Sequence, residues 1–368
     1  MSVNTSLTPD LDNPDGPAGR ADGPGVLARV VRAILTQRIV MLVILIVLVL
    51  VWMFSLSSGG YLTAPYDAEY VASSLVDAVP LAMLALAELI VIVSGRGGID
   101  LSIGSIVSLT GMIFGFAYGQ WGWPLLVAIA AAVVVGAFLG AVNGFLVARL
   151  GFPALIATLA TYYAYQSLAV VINDQQPISS PGIQDLYSIT KGVSIPFVGG
   201  LVPDIPLGVF TFLLPIVVLV WLLLQRTAYG RRLFAIGTND VAASWSGINV
   251  AATRMRAYVA AGAIAGLVSV YLTAQFASAR PDAGATGNGL ALPAITIAVL
   301  GGVAITGGVG RVAGVVLAAL LITWINSGTL LYFPGNDGTQ FQLFALGFVL
   351  LFAALLNGVT TRRYGGDR

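Results

Sequence analysis

Ten strongly apolar runs, centred near residues 47, 84, 110, 136, 162, 215, 266, 297, 321 and 348, follow one another along this chain. A helix needs about 20 mostly apolar residues to cross a bilayer core. In lipid every backbone polar group must find its partner within the protein, so runs of this length become spanning helices. The expected fold is an all-α polytopic membrane protein of about ten transmembrane helices. Composition agrees, since 9% of residues are charged and 58% hydrophobic, against about 25% charged in a soluble domain.

The charges that remain set the topology. Cytoplasmic loops are enriched in Lys and Arg. With the N-terminus inside, 15 of the 17 basic residues fall on the cytoplasmic side, and only Lys191 and Arg280 fall outside. Both termini are therefore expected in the cytoplasm. Residues 1–38 carry too little apolar surface to offset the entropy of ordering, and are expected to form a largely disordered cytoplasmic tail. Acidic residues precede the arginines and the first apolar run starts near Val40, which excludes a cleavable signal peptide. The transmembrane domain is placed at 39–360, with a cytoplasmic C-terminal tail at 361–368.

Several chemistries are excluded by residue type. The chain has no cysteine and no histidine, so disulfides, thiol nucleophiles, imidazole acid–base steps and Cys/His metal sites are absent. Its sole lysine, Lys191, follows Tyr187-Ser-Ile-Thr190, so no phosphate-binding loop of the form G-x-x-x-x-G-K-[ST] exists here. No catalytic residue, metal or cofactor is expected in this chain. If ATP drives it, another polypeptide binds the ATP and Mg.

A polar, glycine-rich break, Ser94-Gly-Arg-Gly-Gly-Ile-Asp-Leu-Ser-Ile-Gly-Ser105, interrupts the apolar pattern. Broken helices of this kind build substrate paths in transporters. The other reading is a tight turn at the membrane surface, with Arg96 and Asp100 paired at the headgroups. Glu88 lies inside the second run, where a carboxylate costs about 2.5–3.5 kcal/mol on insertion scales and requires a partner or a water-filled cavity. Glu88, Gly97, Gly98, Asp100, Ser102, Asn143, Tyr162, Tyr165, Gln166 and Gln275 are the candidate pathway residues, and Asp77 and Asn326 are further polar groups near the spans. Their plainer reading is interhelical hydrogen bonding, worth about 0.6 kcal/mol on average. The glycines at Gly136 to Gly144 and Gly301 to Gly314 suit close helix packing. A descending span, a glycine-rich break and an ascending span occur near 84–110 and again near 297–321, a weak internal echo.

Two connections are longer than turns. The external one, about Asn173 to Pro206, carries five prolines among short apolar patches and is expected to hold short structure of its own. The cytoplasmic one spans 225–256. Thr238 or Asn239 can supply an N-cap and Gly247 a left-handed C-terminus, predicting a short projecting helix between them. Its residues Val241, Ala242, Ala243 and Trp245 have no membrane to enter, so they are expected either to pack into a groove on another protein or to fold back on the bundle.

The segment Gly230-Arg-Arg-Leu-Phe-Ala-Ile-Gly-Thr-Asn-Asp-Val-Ala-Ala-Ser-Trp-Ser-Gly-Ile248 resembles the coupling segment of ATP-binding-cassette (ABC) sugar importer permeases, the ribose, xylose, arabinose and galactofuranose group. Gly97-Gly-Ile-Asp-Leu-Ser-Ile-Gly-Ser105, Asn143-Gly-Phe-Leu-Val-Ala-Arg149, Phe152-Pro-Ala-Leu-Ile-Ala-Thr-Leu159, Leu300-Gly-Gly302 and Gly307-Gly-Val-Gly-Arg311 are similar to motifs of the same family, in its order. The resemblance implies a multi-pass subunit of the bacterial inner membrane, surrounded by lipid and without a nucleic-acid partner. It implies three protein partners: a cytoplasmic ABC ATPase, a second permease subunit (the same chain or a relative) and an extracytoplasmic solute-binding protein. By the same resemblance, Gly230, Arg231, Gly237, Asn239, Asp240, Ala242, Ala243, Gly247 and Ile248 would form the ATPase-coupling element. The chain departs from the family pattern at Ala87-Glu88, where Met-Thr is common, and near Leu290, where an acidic residue is common. Open alternatives are a permease of the same superfamily for another solute, such as a branched amino acid, nucleoside or sugar-derived signal, and a stand-alone secondary carrier.

Overall fold

The computed structural model describes residues 37–194, 203–285, 289–333 and 335–364. The tail at 1–36, where disorder is expected, lies outside them. Among the described residues eight helices are long and apolar enough to cross a membrane. The first is α1 (Arg38–Ser58). Next, α2 (Ala68–Ser73) and α3 (Leu75–Val93) share one span that turns at Ser74, with Asp67 capping its start by accepting the Tyr70 N–H at 2.9 Å. Helix α4 (Ile103–Phe114) continues as a π-helical stretch to Gln120, followed by α5 (Leu125–Ala148) and α6 (Ala154–Val171).

The external connection contains the short structure expected of it. Helix α7 (Pro181–Asp185) is capped by Ser180, and β1 (Gly192–Val193) pairs antiparallel with β2 (Ile205–Pro206), Gly192 opposite Pro206. A π-helical turn then leads into α8 (Leu214–Arg226). Two short helices, α9 (Ala228–Thr238) and α10 (Asp240–Trp245), precede the long α11 (Val250–Gln275). The chain ends with α12 (Ala291–Leu300), α13 (Val312–Tyr332) and α14 (Asn336–Tyr364).

One expectation is corrected. The span centred near 297 is a helix of only 10 residues, about 15 Å long and half of a bilayer core. It stops at Gly301–Gly302, where Gly302 adopts φ +94, a conformation closed to most other residues. The last helix, α14, runs to Tyr364.

Burial is graded from the middle outward. The span holding α3 is 83% buried, whereas α1 is 17% buried. Val47, Leu48, Val51 and Trp52 on α1, and Leu126, Val134 and Phe138 on α5, are exposed. An apolar surface of that extent belongs against lipid, with the better-packed helices enclosed behind it.

Helices α5 and α11 meet along two small-residue stripes. Gly136, Gly140 and Gly144 face Gly262, Gly266, Tyr258 and Met255 so closely that an added Cβ at Gly136 or Gly140 would fall on the Gly262 or Tyr258 carbonyl. Lipid gives no hydrophobic drive for association, so such contact at backbone distance supplies the van der Waals energy.

Pro80 lies within α3. It has no N–H, which frees the carbonyl of Val76 four residues earlier, and the Tyr271 hydroxyl from α11 donates to that carbonyl at 3.0 Å. Tyr271→Phe is expected to destabilise the chain by about 1–3 kcal/mol, because the acceptor is left unmatched. Thermal unfolding in detergent would register it, and an unchanged midpoint would assign the carbonyl another donor.

Candidate functional site

The short segment between α8 and α11 is built by local capping. Asn239 accepts the Ala242 N–H at 3.0 Å and starts α10. At the other end Gly247, at φ +81, donates to the Ser244 carbonyl at 3.0 Å while Ile248 donates to Ala243 at 3.1 Å. That pair of bonds is the Schellman closure, and it needs a glycine at the left-handed position. Six residues are thereby held helical without a longer helix to nucleate them.

One face of α10 is bare and the other docked. Trp245 is 88% and Val241 60% exposed, whereas Ala243 is buried. Of the four residues expected to meet a partner or fold back, Ala243 packs into the core, and half-buried Ile248 lies against that core. The preceding stretch is the helix α9. It carries exposed Arg231 and Arg232 and turns sharply from α8 at Gly230, where a Cβ would meet the Leu223 and Leu224 carbonyls. The Tyr229 hydroxyl donates to the Thr253 carbonyl at 3.2 Å, and burial pushes that phenol above its ordinary range, so it stays protonated at neutral pH.

Asp240 ties α10 to the break after α3. Its Oδ2 lies 3.0 Å from Arg96 Nε and 3.7 Å from the Arg254 guanidinium, and Arg254 also donates to the Ser94 carbonyl at 3.1 Å. Arg96 therefore pairs with Asp240, not with Asp100 as the surface-turn reading held. Below this pair three glycine segments converge. A Cβ at Gly95 would lie 2.9 Å from Gly237 Cα, one at Gly307 2.7 Å from Gly95 N, and one at Gly237 would strike the Val93 carbonyl. Gly308 N–H donates to that carbonyl at 3.1 Å. The break after α3, the break after α12 and the end of α9 thus meet backbone to backbone.

Beyond Gly97 and buried Gly98 the chain turns back into the bundle and enters a closed polar network. Ser102 Oγ donates to Asp100 Oδ1 at 2.6 Å, and Asn143 Nδ2 donates to Ser102 Oγ at 2.7 Å and reaches both Asp100 oxygens at 3.3 Å. Thr161 donates to Asn143 Oδ1 at 2.7 Å, and Asp100 N–H donates to Glu88 Oε2 at 3.3 Å. Leu101 N–H donates to Thr158 Oγ1 at 3.1 Å. Glu88, Asp100, Ser102, Asn143 and Thr158 are all fully buried. In this conformation these pathway candidates fasten the re-entrant turn to α3, α5 and α6, and none of them lines a cavity described below.

The remaining candidates separate. Tyr165 donates to the Leu139 carbonyl and Gln166 to the Pro281 carbonyl. Tyr162 lines an apolar cavity of about 350 Å³ with Leu292, Leu343 and Leu350. Gln275 donates to Asp77 at 2.8 Å and lines a cavity of about 520 Å³ with Asp77, Thr323, Asn326 and Ser327. Sequence reasoning missed Thr158, Thr161, Arg254 and Thr323. Only Arg254, a charge at the start of an apolar run, carries a visible signal.

Comparison with known proteins now adds to this geometry. A family model described as branched-chain amino acid transport system / permease component matches residues 70–354. The ribose import permease protein RbsC of Escherichia coli is 33% identical over 279 residues, covering 75% of this chain and 81% of its own length. RbsC of Bacillus subtilis is 35% identical over 261 residues, 71% and 76% of the two chains. The autoinducer 2 import system permease protein LsrD of Yersinia pseudotuberculosis is 33% identical over 276 residues, 75% and 79%. No solved structure matches.

Proposed function

The chain belongs to the branched-chain amino acid transport system / permease component family, and from that premise we propose that it is the membrane-spanning permease of an ABC importer for a sugar or related small polar solute. It is not the ATPase, which is a separate subunit of such systems. The relatives at 31–35% identity are named for ribose and autoinducer 2 import, which supports a polyhydroxylated cargo over the amino acid in the family's description. A solute-binding protein outside the bacterial inner membrane delivers the cargo, and two permease subunits, identical or related, enclose the path. Cofactor chemistry, ATP with Mg, belongs to the partner ATPase.

The observation that carries this reading is α10. It is capped at both ends, presents Trp245 and Val241 to solvent, and is held by Asp240 to Arg96 and Arg254. A rigid docking knob anchored on a break between spanning helices suits transmission of an ATPase movement to the membrane. Such coupling requires two states that the ATPase and the loaded binding protein stabilise differently. The network of Glu88, Asp100, Ser102 and Asn143 would hold the re-entrant turn while α10 shifts, and the translocation path would run past Gly97, Gly98, Tyr162, Tyr165, Gln166 and Gln275.

An exposed tryptophan at the centre of an interface typically contributes 2 kcal/mol or more. Trp245→Ala is therefore expected to weaken ATPase binding at least about thirtyfold, with membrane insertion unchanged. Affinity purification in mild detergent with quantitative mass spectrometry reads this directly. Equal ATPase recovery with Trp245→Ala and with Gly247→Trp would remove the docking assignment, and transport without any ATPase would establish the carrier reading.

A further inference from the structure

The cavity of about 520 Å³ that Gln275 lines lies at the opposite ends of α3 and α11 from the coupling segment, between the start of the α2–α3 span, the end of α11, and α13, and sets several polar groups into an otherwise apolar lining. Its volume is within the range of about 300–1,000 Å³ typical of small-molecule sites. Asp77 and Gln275 form one wall, joined at 2.8 Å by the Gln275 amide donating to the carboxylate. That bond uses one of the two amide N–H groups, which leaves Gln275 one donor and its Oε1, which is buried and has no partner among the described residues. Across the cavity Thr323 is 3% exposed, and its hydroxyl is likewise without a partner there. Asn326 and Ser327 follow one turn further along α13.

Buried polar atoms left unmatched cost about 1–3 kcal/mol each unless something binds them. Here the two residues that carry such atoms line one space with the Asp77 carboxylate, the Asn326 amide and the Ser73, Ser74 and Ser327 hydroxyls, so the lining offers both acceptors and donors. The chemical match is a molecule whose adjacent hydroxyls both donate and accept. Among the described residues no Lys or Arg lines the cavity, so an amino acid that set its ammonium on Asp77 would leave its carboxylate in the cavity with no cation to meet it.

We propose that this cavity is a neutral-polyol site within the permease itself, in which Asp77, Gln275 and Thr323 hydrogen-bond the hydroxyls of a sugar, so that this chain discriminates against zwitterionic solutes. The inference rests on the importer reading for its biological setting, but the binding chemistry is testable without it. Each contact is single and the cavity is open, so binding is weak, as passage requires.

The absence of cysteine allows a direct test. Leu81 lines the same cavity, and Leu81→Cys gives the full chain one thiol, whose labelling by a small charged methanethiosulfonate is followed in lipid nanodiscs. D-ribose, D-xylose or D-galactose is expected to slow labelling, and L-leucine to leave it unchanged. Adding Asp77→Asn or Thr323→Val should raise the sugar concentration for half-protection about tenfold, the effect of one lost hydrogen bond to a buried or charged group. Protection by none of the three sugars, or stronger protection by leucine, overturns the site, and because that comparison uses the chain with Asp77 intact, misfolding of the variants cannot mask the answer. The importer reading is separate: ATP-driven sugar uptake that persists without protection removes the site and keeps the importer, whereas protection in a chain that binds no ATPase does the reverse.

Discussion

Asp240→Ala is expected to stop ATP-driven uptake and to destabilise the isolated chain. Removing the carboxylate leaves Arg254, whose side chain is only 3% exposed, with the Ser94 carbonyl as its remaining acceptor and Arg96 nearby. Stripping one member from a buried pair costs about 3–5 kcal/mol, and because Asp240 is 25% exposed the lower end applies. The Arg96 contact adds little, since that side chain is 68% exposed. A second variant separates stability from coupling. Asp240→Ala with Arg254→Met removes the stranded charge and should recover much of the melting temperature, yet uptake should stay lost because α10 is no longer tied to the break. Full uptake in the double variant would show that the tether does not transmit movement.

Gly140→Leu should have the other large effect, loss of the folded chain. A side chain there falls on the Tyr258 carbonyl, and neither backbone can yield without opening the α5–α11 seam. Overpacking a core typically costs about 1–3 kcal/mol, and a backbone-to-backbone clash with a bulky residue belongs at or above the top of that range. Gly347→Leu is the control, because nothing lies within 4 Å of a Cβ there. Size-exclusion profiles of both variants in detergent decide it: a monodisperse Gly140→Leu peak matching the control would mean the seam is not required.

What could be read from sequence follows from how local each determinant is. Apolar length alone located the spanning helices, since lipid forces the backbone of such runs to satisfy itself. It failed near residue 297, where glycines at Gly301 and Gly302 end the helix after ten residues and hydropathy carries no record of it. The caps of α10 were legible because Asn239 and Gly247 act within three or four residues of themselves. The face of α10 was not, because six residues are too few to reveal a period, and Ala243 turned inward. Glu88, Asp100, Ser102 and Asn143 each stood out as polar residues in apolar surroundings, but their joining depends on α3 and α5 packing together. Thr323 gave no signal, being an ordinary hydroxyl in an apolar helix until Asp77 and Gln275 arrive from far along the chain.

The meeting of Gly95, Gly237 and Gly307 also has a mechanical meaning. A side chain placed between two moving parts acts as a cushion, since its rotamers can absorb the first ångström of travel. At this junction the backbones touch with nothing between them, so the linkage has no backlash. A displacement of the end of α9 would therefore bear on both glycine-rich breaks at once, with no side chain to take up the first part of the travel.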